Sequence, residues 1–371
     1  MQSRPAAPFP MMLALGLMMV ALGAASSIVA AQGSEGVLDD PRPKLNRDLV
    51  YALDASIEHV LQDFAIPGLA IGIVDNGQPV YIRGFGVRDT RSDQPVNAHT
   101  IFHVASITRT FTATAVLQLA ERGQLGLLDS IADSPVTVTQ LLTRDDAAFN
   151  ALASIIESAA QRDYLQYMQS SVLDAAGLRE STFGVPLVGA NVAWPHTGRV
   201  FVRRSSRYPW KEDSLPSTGL SASIADVTHW AALHVNRDPS LLTKPSYDAM
   251  IKHQRDGEIE GTALALGWQL ERRDDEWLPR HAARGRGFSS FLTLYPGQRR
   301  AIVILANGET TPGEQLRGMI ESVLAGQAYV LPKPSLLLRS DFQWAFGGLL
   351  GMSLLLIAVS VHYRRRREPT A

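Results

Sequence analysis

Apolar side chains recur at helical spacing over residues 46–64, at Leu49, Leu53, Ile57, Val60, Leu61 and Phe64. That spacing predicts an amphipathic helix, and Pro67-Gly68 ends it. The period then shortens. Residues 69–74 are a β-branched run, Asp75-Asn76-Gly77 is a turn signal, and residues 79–85 read as a second strand. Two strands about an Asn-Gly predict a hairpin. Residues 289–295 and 300–305 repeat the arrangement around Pro296-Gly297. Helical periodicity marks residues 108–122, 147–158, 164–175 and 224–234 between these two strand regions. The expected class is therefore α+β, with an antiparallel sheet drawn from both ends of one domain and flanked by a helical region. Neither an internal repeat nor a low-complexity tract interrupts the pattern.

Two further hydrophobic runs lie outside this domain. Residues 1–31 hold one charge, Arg4, then an apolar run from Met11 to Ala25, then Val29-Ala30-Ala31 before Gln32. This is the form of a cleaved secretory signal peptide. Residues 344–363 contain no Asp, Glu, Lys or Arg. A helix of that length spans roughly 30 Å, the thickness of a bilayer core. Trp344 and Tyr363 flank it, and Arg364 to Arg367 follow, an arrangement that holds this end in the cytoplasm. The expected organisation is a signal peptide (1–31), a leader segment (32–46), an ectodomain (47–327), a juxtamembrane linker (328–343), a single transmembrane helix (344–363) and a cytoplasmic tail (364–371). The lipid bilayer is thus one expected partner. The expected location is the cell (inner) membrane, with the ectodomain extracytoplasmic or periplasmic.

Composition narrows the chemistry. Apolar residues make up 46% of the chain and charged residues 19%, enough for a sizeable core and too apolar for global disorder. Lys plus Arg is 35 against 36 for Asp plus Glu, and without the two terminal segments the counts are 30 and 35. No basic excess exists to hold a phosphate backbone, so nucleic acid is not an expected partner. Cysteine is absent, which excludes disulfide scaffolds, thiol nucleophiles and Cys-ligated metal centres and suits an oxidising compartment. The nine histidines show no HExxH-type spacing, so neither a metal nor another cofactor is expected.

Chemistry is expected around Ser106. In residues 102–113 an apolar strand-like segment turns at Ser106 into a helix running to Gly123. A hydroxyl at a helix N-terminus lies near unpaired N–H groups and the positive dipole end, which favours a nucleophile that must carry negative charge. Position 109 follows three residues on, on the same helical face. Alone, this pattern also describes an ordinary serine N-cap.

The neighbouring segments extend the pattern. PGLAIGIV (67–74), FHVASITRTFTATAVLQLAERGQL (102–125), PSTGLSASIADVTHW (216–230) and GFSSFLTLYPGQRRAIVILANG (287–308), with the glycine-rich hairpin, occur in consistent order. Over about residues 47–327 the chain resembles the serine beta-lactamase and penicillin-binding protein superfamily, in its branch of class C beta-lactamases, DD-peptidases and esterases. The resemblance implies a beta-lactamase/transpeptidase-like fold and acyl transfer, in which a serine attacks a lactam, amide or ester and water releases the acyl group. It also implies three motif elements: Ser-x-x-Lys, Tyr-x-Asn (or Ser-Asp-Asn), and Lys-Thr-Gly (or His-x-Gly) on a strand edge that supplies half the oxyanion hole.

Each element departs from that pattern. Ser106 is present, but Arg109 replaces the Lys, and a guanidinium does not deprotonate to act as a base. The run RDDAAFNAL (144–152) aligns Arg144-Asp145-Asp146 with the second element. Arg144 then stands for the Tyr or Ser, and Asp146 for the Asn. His281-Ala282-Ala283 aligns with the third, with Ala283 in place of Gly and Arg284 next along the strand. Ala282, Ala283 and Arg284 are accordingly the expected substrate-binding positions. The changes at 109 and 146 are expected to be coupled as an ion pair. His281 is the remaining candidate to activate Ser106. Two functional classes follow: a weak or altered serine hydrolase acting on an amide, ester or lactam, and a catalytically inactive pseudoenzyme holding a peptidoglycan-like acyl ligand or a protein partner.

Overall fold

The computed structural model describes residues 45–131, 134–186, 191–198, 202–205, 208, 211–327, 329 and 348–359. The expected signal peptide, all but the last two residues of the leader segment, most of the linker and the cytoplasmic tail lie outside the described residues. Residues 348–359 are helical, and their apolar side chains, among them Leu349, Leu354, Leu355, Leu356 and Ile357, are exposed. Among the described residues no helix is long and apolar enough to cross a membrane.

The first helix, α1 (Arg47–Phe64), begins where Asn46 caps it by accepting from the backbone N–H of Asp48. It ends at Ala65, which adopts the left-handed conformation. The hairpin β1 (Gly68–Asp75) and β2 (Gln78–Asp89) follows. Asp75 pairs with Gln78 across Asn76 and Gly77, which both take positive φ (49° and 76°). That is the two-residue turn whose twist matches antiparallel strands. Two short strands come next, β3 (Gln94–Pro95) and β4 (Ile101–His103), then α2 (Thr108–Glu121).

The middle of the chain is helical but more broken than its periodicity suggests. The expected helix over 147–158 is split into α3 (Asp146–Asn150) and α4 (Leu152–Ala160). Asp145 caps α3 and restarts the backbone one residue earlier than expected. The expected helix over 164–175 widens to π-helical geometry from Met168 to Leu173. Strands β5 (Thr182–Phe183) and β6 (Leu220–Ser223) join β4 in a small sheet ordered β4-β6-β5. Helix α5 (Ile224–Asn236) follows directly.

The C-terminal part supplies β7 (Arg255–Asp256), β8 (Thr262–Leu264), β9 (Gln269–Arg273), β10 (Glu276–Gly285), β11 (Phe288–Tyr295) and β12 (Arg300–Ala306), then α6 (Gly313–Leu324). The main sheet runs β7-β8-β9-β10-β11-β12-β1-β2-β3. Antiparallel pairing of β12 with β1, from Leu69↔Ala306 to Val74↔Ala301, joins the two ends of the domain into one sheet.

Both faces of that sheet are covered, so its central strands are apolar throughout rather than alternating. On one face Leu69, Ile71 and Ile73 meet Leu53 and Ile57 of α1 and Leu316, Met319 and Ile320 of α6. On the other, Ala70, Leu292, Val303 and Leu305 meet Phe111 of α2 and Trp230 of α5, whose rings stack at 3.9 Å. Helix α5 lies so close to β1 that a Cβ on Gly72 would stand 1.7 Å from Thr228 Oγ1. This second layer carries the Ser106 turn.

Candidate active site

Strand β4 delivers the chain to a single 3-10 turn, Ala105–Ile107, which packs on β10 and β11 and leads into α2. Ser106 is half-buried on that turn, and its hydroxyl has no hydrogen-bond partner among the described residues. Ala105 adopts φ 47°, an uncommon state for a residue with a Cβ. Its neighbours hold it there. Ser290 Oγ donates to the Val104 carbonyl at 2.8 Å, and Thr108 Oγ1 donates to the Ala105 carbonyl at 2.6 Å. Thr108 Oγ1 in turn accepts the backbone N–H of Leu220 at 3.1 Å. The turn is therefore fastened to β11 and β6, with its free hydroxyl at a helix start.

Arg109 lies one residue inside α2. Its Nη1 donates to the Arg144 carbonyl at 2.9 Å and its Nη2 to Asp146 Oδ1. The guanidinium carbon sits 4.7 Å from the centre of the Phe149 ring, a cation–π contact. The Arg109 side chain is 17% exposed and that of Asp146 62% exposed. Positions 109 and 146 are thus joined as an ion pair. Phe149 was not anticipated, although its place three residues after Asp146 on α3 was the available signal. Arg144 gives its carbonyl to this clamp, while its own side chain is exposed and unpaired among the described residues.

The third element departs from expectation in two ways. His281 is only 2% exposed, and its Nε2 donates to the Gly267 carbonyl at 2.8 Å. Burial, with a smaller contribution from the Arg109 and Arg280 cations, pushes its imidazole down to about 3. A neutral, buried ring committed to a carbonyl is a poor base for Ser106, so the expected role is not supported. Second, Ala282 and Arg284 face away from the Ser106 layer. Ala282 packs with Phe291 in the α1–α6 layer, and the Arg284 guanidinium lies 5.5 Å from the Phe291 ring. Only Ala283, opposite Ser290, shares the face of His281. The reason is the two-residue turn Arg286-Gly287, with φ 53° and 85°, which sets the hairpin register. Backbone alternation from that turn directs the N–H groups of Ala282 and Arg284 toward the side of β10 that β9 leaves open beyond Arg280.

Gly267 is a residue that the motif pattern does not disclose. It receives His281 on its carbonyl, and its N–H donates to the Leu142 carbonyl at 3.1 Å, just before Arg144. A Cβ there would stand 2.4 Å from Ala113 Cβ and 2.9 Å from the Arg109 carbonyl. With φ 75°, it is a glycine by conformation and by space. One residue therefore joins the third element to the Arg109 turn of α2 and to the segment that precedes the second element.

The beta-lactamase family profile matches residues 53–144 and 145–324. The chain belongs to the beta-lactamase family. It is 33% identical to a beta-lactamase of Pseudomonas fluorescens, over 73% of this chain and 96% of that protein. It is 25% identical to Protein flp of Staphylococcus aureus (strain MW2), over 71% of this chain and 64% of that protein. The chain thus spans less than two thirds of that relative. Among solved structures, the octameric penicillin-binding protein homologue from Pyrococcus abyssi superposes with TM-score 0.67 at 20% identity, covering 75% of this chain and 78% of that one. The D-alanine carboxypeptidase AmpC from Burkholderia cenocepacia gives 0.64 at 21%, covering 75% and 99%. These likenesses bear on the fold: this family member has the beta-lactamase/transpeptidase-like α+β architecture expected of it.

Proposed function

We propose that this beta-lactamase-family, serine hydrolase-like protein is anchored in a membrane by residues 344–363, faces away from the cytoplasm, and performs acyl transfer through Ser106 only weakly. Arg109 carries the reading. A permanently charged guanidinium, fixed between the Arg144 carbonyl and the Asp146 carboxylate, stands where the family places a titratable amine. It cannot take the Ser106 proton, and His281 is committed to Gly267. The hydroxyl keeps its position at the helix start and, among the described residues, has no hydrogen-bond partner to activate it. The substrate class is an amide, ester or lactam. The exposed apolar side chains of residues 348–359 support the anchor.

A second reading, a pseudoenzyme that binds a cell-wall-like ligand or a protein partner without turnover, is favoured by the same clamp. An activity-based serine-hydrolase probe on the full-length protein separates the two. Slow labelling that disappears in Ser106→Ala supports the hydrolase. No labelling, with thermal stabilisation by peptidoglycan fragments, supports the binder. Faster labelling of Arg109→Lys would locate the defect in the lost amine, whereas unchanged labelling would show that the second and third elements limit as much.

A further inference from the structure

A cavity of about 490 Å³ lies where the C-terminal end of α5 meets the turn between β11 and β12. It is separate from the Ser106 turn. Ser290 of β11 braces that turn, whereas Leu294, which lines the cavity, stands roughly 13 Å farther along the strand at the usual rise. The volume falls in the range of small-molecule sites, which are largely apolar with a few placed polar groups.

The walls are apolar and partly aromatic. Leu294 and Tyr247 are buried and share the lining with Ile251 and Pro296. The His234 ring stands edge-on to Tyr247, with ring centres 5.5 Å apart. Its Nδ1 donates to the Trp230 carbonyl at 3.0 Å, and burial holds the imidazole down to about 4, so His234 lines the cavity as a neutral ring.

The charge is all of one sign. Among the described residues that line the cavity none is Asp or Glu, and two are Arg. Asp248 pairs with Arg237 at 2.8 Å, whereas Arg299 has no carboxylate partner among the described residues. Arg299 is nevertheless held in place. Its Nε and Nη2 donate to Asn236 Oδ1 at 3.1 and 2.6 Å, and Asn236 Nδ2 donates to the Gly77 carbonyl at 2.7 Å. The Gly77 N–H donates back to the Arg299 carbonyl at 2.7 Å. A Cβ on Gly77 would stand 2.0 Å from Asn236 Oδ1 and 2.6 Å from Arg299 Nη2, so this cradle needs glycine for space as well as for its turn. One edge of the guanidinium is thereby spent on a neutral amide. The Nη1–Nη2 edge, which suits a bidentate carboxylate, is left over. A cation fixed in advance binds at a smaller loss of side-chain freedom.

A neutral ligand would leave that edge unused, and an inorganic anion would leave the apolar walls in water. We propose that this cavity binds a small carboxylic acid with an aromatic or branched apolar body, its carboxylate on Arg299 and its body against Tyr247, Ile251 and Leu294. The site is independent of whether Ser106 reacts.

The test is titration calorimetry of the full-length protein in neutral detergent. The probe is 1-naphthylacetate, with 2-(1-naphthyl)ethanol as its uncharged counterpart and acetate as its head group alone. Saturable binding of naphthylacetate is expected, about tenfold or more tighter than either control. Ser106→Ala should bind it as the parent does. Arg299→Gln should weaken the acid about tenfold and leave the alcohol unchanged. Ile251→Trp, which fills the cavity, should abolish both. No saturable binding, equal affinity for acid and alcohol, acetate binding as tightly as naphthylacetate, or an unchanged Arg299→Gln would each overturn the proposal. Loss of binding in Ser106→Ala would do the same, by moving the ligand to the other site.

Discussion

At the Ser106 turn, the serine rests on a strained Ala105 whose flanking carbonyls are held by Ser290 and Thr108, and its hydroxyl has no partner among the described residues. At the other motif positions Arg109, Asp146 and His281 are each held by a partner instead. Arg109 is clamped by Asp146, the Arg144 carbonyl and Phe149, and His281 is sealed on Gly267. Under the proposed function, the first region would keep the geometry of acyl transfer and the second would have turned proton-handling positions into structure. A catalytic scaffold and a proton shuttle would then be separable: one persists as a folded feature after the other is converted into packing and ion pairing.

Acid should produce the largest effect on this contrast. His103, His196, His234 and His281 are all held below the ordinary imidazole value by burial, His103 and His234 to about 4 and His281 to about 3. Their neutral forms are favoured in the fold, so unfolding takes up protons below about pH 6.5. Stability is complete above that value and falls as pH drops toward the folded values. Each histidine contributes a slope of about 1.4 kcal/mol per pH unit. Urea midpoints between pH 7 and pH 5 should fall steeply, and a flat profile would mean that the histidines, His281 included, are not sealed.

Gly267→Ala comes next. It adds a Cβ against Ala113 and the Arg109 carbonyl at a positive φ. A loss of about 3 kcal/mol is expected in chemical denaturation, combining overpacking with backbone strain. A loss under about 1 kcal/mol would show that Gly267 is not a tight junction between β10, α2 and the segment before Arg144. Thr108→Val tests the other region. It deletes a hydroxyl that both donates to Ala105 and accepts from Leu220, at an expected cost of about 1–2 kcal/mol. An unchanged midpoint would show that the strained turn needs no such support. Asp146→Asn should cost least, about 1 kcal/mol or below, because the carboxylate is largely exposed. If that variant is as stable as the parent in low salt, the ion pair is incidental.

The sheet was largely legible in the chain. The Asn76-Gly77 turn and the apolar runs of β1 and β12 state both the hairpin and the joining of the two ends. So was the pairing of positions 109 and 146, because each substitution makes sense only with the other. The faces of β10 were not legible. In EWLPRHAARG (276–285) Pro279 interrupts the strand pattern, and only the Arg286-Gly287 turn decides which residues look toward Ser106. His281 aligns with a motif position, yet the fold buries it against the Gly267 carbonyl, since burial is a property of the packed layers and not of the motif. Gly267 and Phe149 escaped notice because their partners are distant in sequence and their own signals are common.

The most direct measurement is intact-protein mass spectrometry of the purified full-length chain mixed with excess penicillin at neutral pH. With a guanidinium in place of the amine, the mass should stay unmodified over minutes, and any adduct should accumulate slowly on Ser106. Prompt, stoichiometric acylation of Ser106 in the unaltered protein would contradict the claim that its proton shuttle has become a structural clamp.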